Sequence, residues 1–291
     1  MSSQQEPPPG QVRRYTAAYL SPGWLLLLGV VILPLLLGLW ISFRNGSLLT
    51  PTSEFVGLEN YRDLLTSSAF WDSVKVTLII SILSLAIQLP LGLLLAIVVN
   101  RELRGTRFFR SSLLMPLLLT PVAVGLMWRL MMNVDNGVID GTLEMFGLPA
   151  IDWLGDRTMA VVSVVIVDSW QNIAFVMLLM LAGLQALPVS PLEAAQVDGA
   201  NTFQKYRHVI LPLLAPVALV VVMIRIIESV KLFDIIYILT GGGPGTATQN
   251  LSLLDYRLGF TFLETSRAAA LGVIITLLMF PLYRLWKKAN P

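Results

Sequence analysis

Polar and charged residues standing inside otherwise aliphatic runs are the groups with chemistry to offer. Asp168, Gln171 and Asn172 lie within one such run, and spacings of three and four residues put them on one face of a helix. A carboxylate inside a bilayer span is costly unless it faces protein or a water-filled cavity, so this face is expected to point inward toward a translocation path. Arg225 and Glu228 stand one turn apart in a later run, and an intrahelical ion pair is the expected way to hold both charges there. Asp234 and Tyr237 follow shortly after. Carboxylates, planar amides and aromatic faces are the groups that bind a polar solute, which makes Asp168, Gln171, Asn172, Asp234 and Tyr237 the candidate substrate-path residues. Enzyme chemistry lacks its parts. There is one histidine, His208, and no cysteine, so disulfides, thiol chemistry and a metal cluster are not expected, and no nucleophile is paired with a base. The GGGPG run at 241–245 is not followed by the Lys-Ser or Lys-Thr that a phosphate-binding loop needs. Its glycines are expected to let the backbone turn while lining a cavity.

A second group of residues reads as mechanical. Between two long apolar runs, Ser190 to Pro216 spell SPLEAAQVDGANTFQKYRHVILPLLAP. Ser190 is placed to cap a helix, Pro191 suits its first position, and Glu193 is spaced to reach back to the cap. Gly199 interrupts this helix after Asp198. Asn201 with Gln204 repeats the cap pattern, so a second helix is expected from about Thr202 until Pro212 distorts it. Leu192, Ala195 and Gly199 on the first helix, with Phe203, Tyr206 and Ile210 on the second, would form a small apolar wedge rimmed by Lys205, Arg207 and His208. Such a wedge suits insertion into a partner.

The elements that must hold these groups are membrane spans. The chain has 291 residues, 55% hydrophobic and 13% charged, with a mean hydropathy of +0.74, outside the range of soluble domains. Apolar runs at about 19–43, 76–99, 111–132, 159–187, 209–230 and 268–286 each approach the ~20 residues that cross a bilayer. The expected fold is all-α and polytopic, with six transmembrane helices. Gln88 and Pro90 interrupt the second run, Pro116 and Pro121 should kink the third, and Arg129 near its end is expected to snorkel. Lys and Arg gather at Arg13 and Arg14, at Arg101, Arg104, Arg107 and Arg110, at Lys205 and Arg207, and at Arg284, Lys287 and Lys288. These segments fall on one side of a six-span chain, and the positive-inside rule makes that side cytoplasmic, with both termini. The second connection, with Phe108 and Phe109, is a further candidate for lipid headgroups. Residues 1–18 read as a disordered cytoplasmic tail. Residues 44–75 read as an outer segment with an amphipathic helix around Glu59, Asn60 and Tyr61.

Glu193-Ala194-Ala195, Asp198-Gly199-Ala200, Tyr206, Ile210, Pro212 and Pro216 resemble the EAA loop of binding-protein-dependent ABC importer permeases, with Tyr206 where that family more often has Phe. VGLENYRDLL before the second run is similar to the same family. Lys231, Phe233, Asp234, Tyr237 and the Gly241–Gly245 turn resemble the segment after the fifth span in its carbohydrate-type members. The resemblance implies a type I ABC importer permease fold across 19–291, with a cytoplasmic coupling loop at 188–212. It implies that Glu193, Ala194, Ala195, Asp198, Gly199, Ala200 and Tyr206 contact an ATPase. It further implies a second, non-identical permease, an ATPase dimer holding ATP and magnesium, and an extracytoplasmic solute-binding protein, all at a bacterial inner membrane. This chain itself is then no enzyme and carries no cofactor. The solute is expected to be a sugar or sugar derivative, and no nucleic acid is expected as a partner. Alternatives are a permease for another solute such as a polyamine, or an ion-coupled secondary transporter using Asp168 and Glu228.

Overall fold

The computed structural model describes residues 19–47, 50–101 and 106–289. The tail at 1–18 and part of the basic connection after Arg101 lie outside them. The chain forms two units, residues 1–64 with 257–274, and residues 65–256 with 275–291.

The first unit opens with α1, Tyr19–Ser42, apolar on every side. It widens to π-register over Leu27–Ile32, where Leu33 N donates to Leu28 O, just ahead of Pro34. A proline ring crowds the carbonyl four residues back, and a π-turn relieves that crowding. The residues after α1 pair as a hairpin that the apolar pattern does not announce, β1 (Arg44–Ser47) against β2 (Thr50–Phe55), antiparallel, with a bulge between Asn45 and Ser47. Gly46 N donates to Ser266 Oγ at 2.9 Å and Ser47 Oγ to Leu263 O at 2.8 Å, which fixes the hairpin to the turn at 263–266. In α2, Glu59–Thr66, Asn60 is buried and its amide donates to the carbonyls of Ser42 (2.9 Å) and Arg44 (2.8 Å). The last carbonyls of a helix have no partner within it, so Asn60 closes the end of α1. The Ser42 and Tyr61 hydroxyls meet at 2.6 Å. Asn60 and Tyr61 thus anchor their helix, where amphipathicity alone suggests a surface role.

The second unit is built on α3, Ser68–Val99, which buries Ser73, Thr77, Ser81, Ser84, Gln88, Gly92 and Ala96. This is a stripe of small and polar groups every three or four residues, the pattern that lets membrane helices approach closely and exchange hydrogen bonds. Ser81 Oγ meets Ser229 Oγ at 2.7 Å, and Thr77 Oγ1 accepts from Leu251 N at 3.0 Å. At Gly92 a β-carbon would stand 2.5 Å from Val176 Cγ1, on the long helix α7, Arg157–Gln185. Gly92→Leu is therefore expected to overpack this contact by about 1–3 kcal/mol and to lower the melting temperature of the purified protein in detergent. An unchanged melting temperature would mean that the two helices are not in that register.

The third apolar run is broken. α4 (Thr106–Leu118) and α5 (Pro121–Met131) are bent by 98°, where a kink in one span is the expectation. Thr120 has an extended ψ of 140°, because a residue before proline is driven out of the helical region, and Pro121 then opens a new helix. Gln171 Nε2 donates to Leu119 O at 3.0 Å, supplying a partner to a carbonyl freed by the break. The chain continues through α6 (Val138–Met145), α7 (Arg157–Gln185), α8 (Val189–Val197), α9 (Thr202–Val230), α10 (Asp234–Leu239), α11 (Leu251–Tyr256) and α12 (Thr265–Ala289). Asp156 starts α7 by accepting from Thr158 N and Met159 N, an N-cap of the usual kind. Among the described residues α1, α3, α7 and α9 are each long and apolar enough to cross a bilayer, the α4–α5 pair adds a bent fifth, and the apolar part of the last helix, Thr265–Pro281, is shorter.

Two apolar clusters hold this unit together. One joins Ile80, Val124, Val164, Val167, Ile235 and Leu239, and the other Ala96, Met177, Met180, Leu214 and Val221. On α7, Asp168 falls between the residues given to the two clusters.

Candidate coupling segment and buried polar cluster

The segment joining α7 to α9 folds as a helix, a tight turn and a helix. α8 begins at Val189 with Pro188 as its N-cap and no side-chain cap, which corrects the expected Ser190–Glu193 capping box. Pro188 holds an extended ψ of 139° and launches the helix itself, so Ser190 is already inside the first turn. The exit follows the expectation. Gly199 has φ +72°, Ala200 N donates to Ala195 O at 2.9 Å, and Gly199 N to Gln196 O at 3.1 Å, the two bonds of a Schellman closure. The capping box that starts α9 is complete, with Gln204 N donating to Asn201 Oδ1 and Asn201 N to Gln204 Oε1, both at 2.9 Å.

α9 then runs without interruption into the fifth apolar run, a difference from the expected distortion at Pro212. It adapts one turn earlier, in π-register over Tyr206–Ile210, where Leu211 N donates to Tyr206 O. The wider turn relieves the crowding that Pro212 would impose on the preceding carbonyls. The apolar faces also differ from the expected wedge. Ala195 and Ile210 are buried and Leu192 and Tyr206 half-buried. The exposed apolar side chains are Val189, Val197 (88% exposed) and Phe203 (70%). Val189, Glu193 and Val197 follow at i, i+4 and i+8 and so share one side of α8. Glu193, Ala194, Asp198 and Gly199 are exposed and Ala200 is half-buried. His208 is exposed, its Nδ1 3.2 Å from Gln204 O.

The charged residues of the spans come together differently from the sequence expectation. Arg225 pairs with Asp168 of α7 rather than with Glu228. Its Nη2 donates to both carboxylate oxygens at 3.1 Å and its Nε to Gln88 Oε1 at 2.8 Å. Gln88 Nε2 donates to Asp168 Oδ2 at 2.8 Å, and Asn172 Nδ2 to Asp168 Oδ1 at 2.9 Å. Asp168 is 1% exposed, Arg225 3% and Gln88 0%. Glu228 is exposed and lies 4.0 Å from Lys231. The physical reason is burial: an exposed carboxylate on the same helix gains little from Arg225, whereas a buried one with an amide beside it needs that guanidinium. Asp168 is thus held in a contact between helices, Gln171 serves the break at Leu119, and neither has the open face that a path-lining group would show. No group of three or more His, Cys, Asp or Glu side chains arranged for a metal occurs among the described residues.

Beyond α9, Phe233, Tyr237 and Tyr256 form an aromatic cluster. Phe233 and Tyr237 stack with centroids 5.2 Å apart, and Tyr256 lies 5.0 and 5.3 Å from them. Tyr237 is 43% exposed and Asp234, in the first turn of α10, is also exposed. The glycine-rich turn follows, with φ of +60°, +90° and +62° at Gly241, Gly242 and Gly245, values that glycine adopts without strain. The Thr240 and Thr248 hydroxyls close it at 2.7 Å. Arg129 is exposed, and its Nη1 donates to Ile238 O at 2.9 Å, so it also serves the end of α10.

Asp255, between the fifth and sixth apolar runs, has its carboxyl pushed up to about 6 by burial. A raised acid pKa favours the protonated folded state, so the contribution to stability is complete below the unfolded value of about 3.9 and is lost as pH rises through about 6. Asp255→Asn, which imitates the protonated form, is expected to melt higher than the wild type at pH 7.5 and alike at pH 4. Equal melting at both pH values would remove this assignment.

Residues 88–289 match the family described as binding-protein-dependent transport system inner membrane component. The trehalose/maltose transport system permease protein MalF of Thermococcus litoralis is 39% identical over 226 residues, 78% of this chain and 77% of that protein. The sn-glycerol-3-phosphate transport system permease protein of Agrobacterium fabrum is 35% identical over 79% of each. Among solved structures, a bacterial ABC transporter involved in the import of the acidic polysaccharide alginate superposes with a TM-score of 0.82 over 97% of this chain and 99% of that one, at 23% identity, and so shares the fold. With this family match and these relatives, the chain belongs to the binding-protein-dependent transport system inner membrane components, the multi-pass permease subunits of ABC importers, in which a separate subunit hydrolyses ATP.

Proposed function

We propose that this chain is one of two non-identical permease halves of an importer for a sugar or sugar derivative, with both termini in the cytoplasm. An external binding protein delivers the solute, and an ATPase dimer carrying ATP and magnesium docks on α8 and the start of α9. Closure of that dimer moves α8, and the two permease halves rock so that a central cavity opens outward; hydrolysis reverses the motion. The observation that carries the solute class is the aromatic cluster, since the C–H faces of a sugar ring pack on exposed aromatic faces and its hydroxyls bond to a neighbouring carboxylate. Tyr237 supplies the half-exposed ring and Asp234 the carboxylate. Relatives that transport trehalose/maltose and sn-glycerol-3-phosphate support the same class.

The test is uptake by the whole transporter reconstituted with its binding protein. Tyr237→Ala is expected to reduce sugar uptake by about tenfold, the loss of roughly one aromatic contact, without reducing the amount of assembled complex. Uptake should stop with vanadate and persist with an uncoupler. Unaltered uptake in Tyr237→Ala plus Asp234→Ala would remove both residues from the path, and collapse with the uncoupler alone would favour an ion-coupled carrier.

A further inference from the structure

We propose that Gln88, Asp168 and Arg225 form a cross-tie that makes α7 and α9, the two helices flanking the coupling segment, move as one body, so that these three are positioning residues for energy coupling. The proposal rests on the coupling role given above to α8. Asp168 stands 17 residues before the end of α7 and Arg225 23 residues after the start of α9, about 25 and 35 Å of helix at 1.5 Å per residue. The tie is thus far from the place where force would enter.

Two helices joined at one end only through α8 and its turn can splay or slide when α8 is displaced. The apolar contacts between α7 and α9 resist separation but set register weakly, because neighbouring lipid is as apolar as the side chains. A guanidinium that gives one nitrogen to a carboxylate on α7 and another to an amide carbonyl on α3 is directional and favours one register over its neighbours. Water cannot replace either partner where Arg225 and Asp168 are 3% and 1% exposed, so a slide would strand a buried charge. Gln88 adds a third helix. Its carbonyl accepts from Arg225 and its amide donates to Asp168, so one side chain senses both ends of the pair. Ser81 and Ser229 repeat the bond between α3 and α9 at 2.7 Å. Both carboxylate oxygens are occupied and no polar atom of Gln88, Asp168 or Arg225 is left buried without a partner, the condition under which a buried network makes a structure rigid.

Because the chain has no cysteine, Leu178→Cys on α7 and Leu213→Cys on α9, both exposed, allow a pair of spin labels to report this distance in the complete transporter in a bilayer. The wild-type distance is expected to be the same with and without trapped ATP. In Asp168→Asn it should differ between the two states, and the solute moved per ATP hydrolysed should fall about fivefold or more, the lower range of coupling energies between sites. Gln88→Met keeps the charged pair and removes the third arm; it serves if Asp168→Asn fails to assemble, with a smaller loss in the same ratio. A wild-type distance that changes with nucleotide would overturn the proposal. So would assembled Asp168→Asn or Gln88→Met transporters with the wild-type ratio, since a purely stabilising role lowers only the yield of complex. These readings lie within one chain, so they stand apart from whether α8 touches the ATPase, which cross-linking decides separately.

Discussion

Gly199→Asp is expected to leave the protein inserted and assembled while lowering uptake by about tenfold or more, within the range of measured coupling energies. Gly199 has φ +72° and open space where a side chain would go, so the effect is not a clash. An L-residue held in the left-handed region costs roughly 1–2 kcal/mol, enough to loosen the Schellman closure that sets the angle between α8 and α9. The added carboxylate would also project beside Asp198 on the exposed face. ATP hydrolysis should then continue with little solute moved. The quantity to measure is solute transported per ATP hydrolysed by the purified complex in vesicles, and wild-type uptake by a well-assembled Gly199→Asp transporter would argue strongly against a coupling role for this turn.

Arg225→Met carries the largest expected loss of stability. It leaves the Asp168 carboxylate buried without its cation, which costs about 3–5 kcal/mol when a buried pair is broken from one side. Replacing the whole cluster should be far milder. In Gln88→Leu/Asp168→Leu/Arg225→Met the charge and the central amide disappear together, and such apolar substitutions of a buried pair are often neutral or stabilising. Asn172 keeps a partner in that variant, because its Nδ2 also donates to Asp168 O at 3.0 Å. Thermal unfolding in detergent should therefore rank the single variant well below the triple one. If the two melted together, the pair would not be buried as the structure places it. The comparison also separates stability from coupling: the triple variant is expected to fold well and still transport poorly per ATP.

Local chemistry was legible in the amino-acid sequence and long-range chemistry was not. The Asn201–Gln204 capping box and the Gly199 turn depend on residues three to five apart, and both stand where spacing put them. At Ser190 the same reasoning failed, because the backbone already turns helical at Val189 after Pro188, so Ser190 stands inside the helix rather than ahead of it. The partner of Arg225 lies 57 residues away. No local rule favours it over Glu228, and only the packing of α7 against α9 brings the two together. Polar residues in α3 carried a signal that could have been read, since Ser73, Thr77, Ser81, Ser84 and Gln88 repeat every three or four residues and mark its buried side. Pro116 and Pro121 announced a disturbed third span, while its 98° bend needed the carbonyl of Leu119 to find Gln171. The hairpin at 44–55 was hidden because its short strands carry no alternating apolar pattern.

Cross-linking from a single cysteine placed at Val197, 88% exposed on α8, tests the proposed docking of the ATPase most directly. In the purified complete transporter, Val197→Cys is expected to give an adduct with the ATPase subunit in a yield that changes when nucleotide is trapped. A complex that retains its ATPase yet gives no such adduct from Val197, or from Glu193 and Phe203 on the same segment, would contradict the account.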